Sequence, residues 1–531
     1  MTAAPVGLRA DVRVEPLVGG WYAWSHLVAP ATASRHLTHR HQPIIDSYVA
    51  APSVHQQAAR SPALAGGPFV DVAGDRTADV AALGERRRRE RADLVALSAA
   101  LDDLADLAAA PAGAPLGPLY ASLPPALRGC VELTYDLDDH CSFRLLEPLL
   151  YERYYAGGRD QALALSLAGS DDRPFALSTP RLDAPDVLLA GVPFHHPGVD
   201  ALFASVRAPM PFDDLASCLE LDADGASKLR RLVTATPPIA GDGAARTARR
   251  VRYIGHACVL VETAGTSFLV DPLLPDAFEG AGPRVSAADL PERIDFALVT
   301  HAHHDHLVLE TLLRLRHRLG TVVVPRGGTG ALQDPSPRLA LEHAGFHDVV
   351  ELGDLDELVV ADGRGRIVAV PFLGEHGDLA IASKAGWLIE AEGTRLLFAA
   401  DSAVLDASLY DVLREVVGRV DVVFLGMECE GAPLTWLYGP LFRREPSRER
   451  AAARRLAGSD DVQALALLDA LGCQRAFVYA MGHEPWVHFL TATTFRPDAR
   501  PVLAAERLVA EARRRGMSVD RLHGGCDVVL P

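Results

Sequence analysis

The chain has 531 residues, 49 % of them apolar, and a formal net charge of −17. That length supports two or more domains with separate cores. The charge argues against nucleic acid or an anionic membrane as partner, and no apolar run approaches the roughly 20 residues that span a bilayer. Seven scattered cysteines without a CxxC pair, and a start that lacks a basic stretch leading into an apolar one, fit a reduced, cytoplasmic protein.

In chain order, the first 236 residues read as mixed α/β. Residues 78–109 read as one helix, on which Glu85-Arg86-Arg87-Arg88-Arg89-Glu90 is a solvated face or a docking patch. Val131-Glu132-Leu133-Thr134-Tyr135 reads as a strand, and residues 161–168 as a short strand or a helix. Pro237-Pro238 and the Gly241-Asp242-Gly243 run cannot hold a regular element. Residues 237–250 therefore read as a linker between an N-terminal α/β domain, 1–236, and a C-terminal domain, 251–531. Beyond it, residues 251–254, 258–261 and 267–270 read as three strands, the last ending at Asp271-Pro272. A helix over 307–319 follows. Strands at 322–324, 367–370, 396–399, 422–425 and 476–480 complete an alternating pattern that suits an αβ/βα sandwich.

The chemistry concentrates in His301-Ala302-His303-His304-Asp305-His306, which follows the apolar strand 295–300. Strand C-terminal ends are where α/β folds place reactive groups. Three of the run's four imidazoles and its carboxylate, at this spacing, suit two metal ions, with His301 and His303 on one, and Asp305 and His306 on the other. Asp401 ends the strand 396–400 and is placed to bridge the two. His483, after the strand 476–480, supplies a last ligand for the second ion. For the first ion's third ligand, Glu375 and His376 stand side by side. On an extended segment they point in opposite directions, so one of the two faces the metal. His376 would complete three imidazoles, which suits zinc and a hydrolytic water. Glu375 would give two histidines and a carboxylate, which suits redox iron that keeps positions open for O2.

The HxHxDH run closely resembles that of the metallo-β-lactamase superfamily, which implies a C-terminal αβ/βα sandwich. The segments 374–379 and 426–440, the latter containing Met427-Glu428-Cys429-Glu430, resemble those of the diiron β-hydroxylases of chloramphenicol-type antibiotic biosynthesis. So do Gly19-Gly20-Trp21-Tyr22-Ala23-Trp24 and residues 143–151, so the resemblance covers most of the chain. It implies His301, His303 and Glu375 on one iron, Asp305, His306 and His483 on the other, and Asp401 shared. It further implies O2-dependent β-hydroxylation of an aminoacyl thioester on a nonribosomal peptide synthetase carrier domain, with an external electron donor. The N-terminal domain would serve docking and self-association, giving a homodimer. Catalytic weight then falls on Glu375 and Asp401. Metal-bound histidines need partners on their second nitrogen, and Asp271, His376, Glu428 and Glu430 are the candidates for this and for the pocket. Trp436 and Tyr438 line a side-chain pocket or pack in the core, and His256 reads as packing. Arg246, Arg249, Arg250 and Arg252, or Arg86–Arg89, would meet an acidic carrier. The alternative is a dizinc hydrolase of an ester, lactone or phosphodiester.

Overall fold

The computed structural model describes residues 4–109, 113–235, 249–282, 284–360, 363, 365–494 and 496–530. Twelve of the fourteen residues expected as linker, 237–248, lie outside them, and the thirteenth and fourteenth, Arg249 and Arg250, lead into the strand Arg250–Gly255.

From there the chain builds two seven-stranded sheets. The first runs, edge to edge, Val349–Leu352, Leu319–Pro325, Ile294–Leu298, Ser267–Val270, Cys258–Glu262, Arg250–Gly255 and Cys526–Val528. The second runs Glu357–Val360, Gly365–Val370, Gly386–Ala391, Thr394–Phe398, Val422–Gly426, Arg475–Tyr479 and Ser518–Arg521. Each sheet is antiparallel in one half and parallel in the other. Strands covered on both faces read as unbroken apolar runs, which is why Val422–Gly426 is buried throughout. Val259, Phe268 and Leu298 of one sheet meet Ile389, Phe398 and Phe424 of the other in a shared inner core. The helices Ser408–Val417, Asp461–Leu471 and Arg500–Arg514 cover the outside of the second sheet.

The outside of the first sheet is covered differently. The helices Leu309–Leu315 and Pro337–His343 lie there, and the N-terminal region packs over them. Its four-stranded sheet orders Trp21–Tyr22, Val12–Val18, Gln161–Leu167 and Leu188–Ala190. Val14, Leu163 and Leu202 join Leu309, Leu312 and Val324 in one continuous core. A buried ionic chain crosses the same seam. Arg173 Nη2 lies 2.7 Å from Glu15 Oε1 and 2.7 Å from Glu310 Oε2, and Arg181 Nη2 lies 2.7 Å from the same Glu15 oxygen.

Two expected helices differ in detail, and one open reading resolves. The helix expected over 78–109 is two helices, Thr77–Glu90 and Ala92–Ala108. The break falls at Arg91, whose side chain is drawn inward to Asp160 at 2.7 Å and to the Tyr154 carbonyl at 2.6 Å. Within the basic run Arg87 is buried rather than solvated. The helix after the histidine run is shorter than expected, because the chain tightens at Arg316–Arg318 and Leu319 already begins the next strand. The segment 161–168 is a strand, paired antiparallel along the whole of Val12–Val18. Among the described residues no helix is long and apolar enough to cross a membrane.

Candidate metal centre

The strand Ile294–Leu298 ends beside Ser267–Val270, with which it runs parallel. This puts the turn at Asp271 against the start of the histidine run. Asp271 is fully buried and takes two bonds from Thr300, from N–H and hydroxyl, both at 2.8 Å. Its Oδ2 also lies 2.9 Å from His306 Nδ1, so that nitrogen donates to it and Nε2 is the one turned into the site. Asp271 thereby fixes the tautomer of His306, as a second-layer carboxylate does for a metal-bound imidazole. His306 Nε2 points at Asp401 Oδ2, 3.0 Å away. Two electron-rich atoms that close require a cation between them, a proton or a metal.

Beside this pair lie His301, His303, Glu375 and His376, whose ligand atoms all lie within 4.8 Å of one another. His303 Nδ1 lies 2.7 Å from Glu375 Oε1, and His376 Nδ1 lies 2.9 Å from Glu375 Oε2. The far nitrogen of His303 meets the Tyr438 hydroxyl at 2.9 Å. His301, His306 and Asp401 form a second group, which joins the first through His301. A third group is His256, Asp305 and His306. His301 Nε2 and Asp401 Oδ1 are buried without a hydrogen-bond partner among the described residues. Such atoms are costly to bury unless something binds them. Imidazole and carboxylate donors in this mix fit first-row metals, including iron.

The electrostatics agree with a cation site. Burial opposes charge on His306, yet Asp401, Asp271 and Asp305 surround it and hold its pKa well above the ordinary histidine value. Burial likewise pushes the Asp305 carboxyl up, but His306 and the hydrogen bond from His256 pull it well below the usual range. Glu375 shows the same contest, with His303 and His376 outweighing burial and keeping it ionised. Glu428 goes the other way. Burial and then the charges of Asp401, Asp305 and Glu375 raise it well above an ordinary carboxyl.

Of the residues picked out in the sequence, the structure gathers His301, His303, Asp305, His306, Glu375, His376 and Asp401, with Asp271 and Glu428 close by. It does not gather His483 into any of these groups. His483 is half-buried, and burial followed by the nearby Arg521 lowers its pKa to about 4. Glu430 is exposed, carried outside the site by the turn that brings Glu428 in. Glu375 and His376 both face the cluster, against the expectation that only one would. The segment is not extended here: φ is +74° at Gly374, +67° at Glu375 and +58° at Gly377, so the chain coils and neighbouring side chains converge. His256 corrects the packing reading. Its Nδ1 accepts the Gly482 N–H at 3.3 Å, so Nε2 carries the proton, and that atom lies 3.2 Å from Asp305. Topology alone could have found it, because the turn joining Arg250–Gly255 to Cys258–Glu262 lies at the same end of the sheet as Thr300. Tyr438 reaches His303 rather than only filling the core. Of the basic candidates, Arg250 and Arg252 pair with Asp527, and Arg246 lies outside the described residues.

Comparisons with known proteins follow the same division. A family model described as "Diiron non-heme beta-hydroxylase N-terminal domain" matches residues 7–237, and one for the beta-lactamase superfamily domain matches residues 266–476. The 4-amino-L-phenylalanyl-[CmlP-peptidyl-carrier-protein] 3-hydroxylase of Streptomyces venezuelae is 40 % identical over 525 residues, 97 % of this chain and 98 % of that protein. The crystal structure of CmlA, a diiron beta-hydroxylase from Streptomyces venezuelae, matches with a TM-score of 0.93 and 38 % identity, covering 99 % of this chain and 100 % of that one. An N-acyl-phosphatidylethanolamine-hydrolyzing phospholipase D of Caenorhabditis elegans is 29 % identical over 32 % of this chain and 51 % of its own length.

Proposed function

We propose a function from one premise: this chain belongs to the diiron non-haem β-hydroxylase family, as 40 % identity across 97 % of its length to a member shows. It hydroxylates the β-carbon of an aminoacyl group held as a thioester on a nonribosomal peptide synthetase carrier domain, in antibiotic-type biosynthesis. One oxygen atom of O2 enters the β C–H bond. The other leaves as water, with two electrons from an external donor and two protons. When bound, two irons supply the O2 activation that side chains lack.

The chain's own part is to hold, orient and seal. His301, His303 and Glu375 would hold one iron, Asp305 and His306 the other, and Asp401 would be shared between them. Asp271 and Tyr438 orient His306 and His303 through their second nitrogens. His256, protonated on the nitrogen that faces Asp305, steadies that carboxylate and is no ligand itself. His483 stands outside the set. Fewer protein ligands on the second ion leave positions for substrate chemistry. Residues 1–236 form the docking and self-association domain, 237–250 its linker and 251–531 the catalytic domain of a cytoplasmic homodimer.

The observation that carries this reading is the whole-length similarity to a hydroxylase. The hydrolase relative matches about a third of the chain, so a dizinc hydrolase is not favoured. The test is elemental analysis with single-turnover assays on Glu375→Ala and His376→Ala. The first variant loses about one iron and all hydroxylation, and the second keeps both irons. Two zincs with hydrolytic turnover, or metal loss only in His376→Ala, overturns the assignment.

A further inference from the structure

The candidate donors are enclosed: His301 and His306 are 0 % exposed, and Glu375 and Asp401 7 %. A substrate delivered on another protein has to reach them through the surface. One surface cleft, of about 100 Å³, lies where the two regions meet. Its walls come from both regions, with Gly66, Phe69 and Asp71 facing Phe175, His488 and Phe489. Trp436 packs behind two of these walls. The indole Nε1 donates to the Gly66 carbonyl at 3.0 Å, and the ring lies 5.7 Å from Phe175. The same ring lies 5.7 Å from His304, inside the histidine run. Two residues on, Tyr438 meets His303. The Trp436 indole therefore touches the cleft's walls on one side and the histidine run on the other.

The closure is tightly built. A Cβ at Gly66 would sit 2.9 Å from the Ala492 Cβ and 3.0 Å from Trp436 Nε1, and Gly66 has φ +74°. Only glycine lets this loop put its carbonyl on the indole. From the other side Arg40 Nη2 holds the Trp436 and Leu437 carbonyls at 2.5 and 3.2 Å. Backbone at Trp436 is thus fixed, while its ring is held by one hydrogen bond that the cleft's own loop supplies.

We propose that this cleft admits the pantetheinyl arm of the carrier domain, and that the Trp436 indole is the inner gate the arm displaces. The inference rests on the carrier-bound substrate proposed above. The arm is a flexible thread of amides separated by short apolar stretches. A cleft that sets the Asp71 carboxylate and the His488 imidazole between the rings of Phe69, Phe175 and Phe489 offers alternating partners for such a thread. Its mouth opens where both regions meet, so a carrier docked on the N-terminal region aims its arm at the metal loop.

The test uses full-length protein and pantetheine activated as its 2-pyridyl disulfide. Ala65, on the cleft rim, and Ala510, exposed on the far helix, are each replaced by cysteine, and labelling is read by peptide mapping. Ala65→Cys labels at least tenfold faster than Ala510→Cys, and the advantage vanishes with activated cysteamine, which lacks the amide thread. Equal rates with both reagents overturn the proposal. In a second arm, Ala65→Trp raises KM for an aminoacyl carrier protein at least tenfold with both irons retained, and an unchanged KM overturns it. Failure of the wild-type protein to turn over any carrier-bound amino acid would instead sink the functional reading, while the labelling ratio still decides what enters the cleft.

Discussion

The sandwich and the N-terminal region meet the same metal loop with different means. The sandwich brings the buried donors, each within a few residues of a strand end, so short connections and paired strands set their positions. Among the described residues, the N-terminal region brings none of the buried donor groups. It supplies cover: Ser25 donates to the Ala302 carbonyl at 3.1 Å, and the Trp24 ring lies 5.7 Å from His304. Arg35, buried, reaches the carbonyls of Pro440 and Phe442. Ligand geometry comes from local chain paths, and enclosure comes from contacts between residues hundreds of positions apart. The two regions share one core, so neither is a free-standing module.

The hardest blow to that partnership falls on the ionic seam. Arg173→Met leaves Glu310 buried without its partner and Glu15 with Arg181 alone, which costs about 3–5 kcal/mol. Chemical denaturation should show this loss as one cooperative transition. Two separated transitions, with only the first shifted, would mean the regions fold independently. Next comes Glu147, whose carboxyl accepts the Ser336 N–H across the seam at 2.9 Å. Burial pushes its pKa up to about 7 from an ordinary 4.5. The native state therefore binds more protons than the unfolded chain between those values, and stability falls as pH rises through that window and flattens above it. Glu147→Gln removes the slope and is more stable at pH 8 by about 1–3 kcal/mol. Parallel pH profiles for the two proteins would remove Glu147 from this role. Within the sandwich, Tyr438→Phe strips the hydroxyl from His303 and weakens metal retention by about 10–100-fold in chelator competition. No change would leave Tyr438 as packing alone. The smallest effect is at the surface: Asp527→Ala breaks exposed pairs with Arg250 and Arg252 and costs less than about 1 kcal/mol by thermal melting.

What could be read in the sequence follows the same line. The HxHxDH run, Asp271 and Asp401 were legible because each is fixed by an adjacent apolar strand. The paired facing of Glu375 and His376 was not, because alternation holds only for extended chain and this loop coils through positive φ. His256 was hidden because its role comes from sheet order. His483 had the right local setting, after a strand, yet the neighbouring turn directs His256 to Asp305 and leaves His483 outside the donor groups. In the N-terminal region the helix break at Arg91 depends on Asp160 and Tyr154, partners that no local window contains.

The first sheet closes its edge with Cys526–Val528 laid beside Arg250–Gly255. During synthesis the strand that begins the sandwich waits for a neighbour made hundreds of residues later. Pairing between such distant segments is slow, and an unfilled edge invites other strands. The helical cover of the N-terminal region can gather early, but Arg35 finds its carbonyl partners only once Pro440 and Phe442 emerge. Closing this edge and seating Arg35 therefore both wait on segments made late in synthesis.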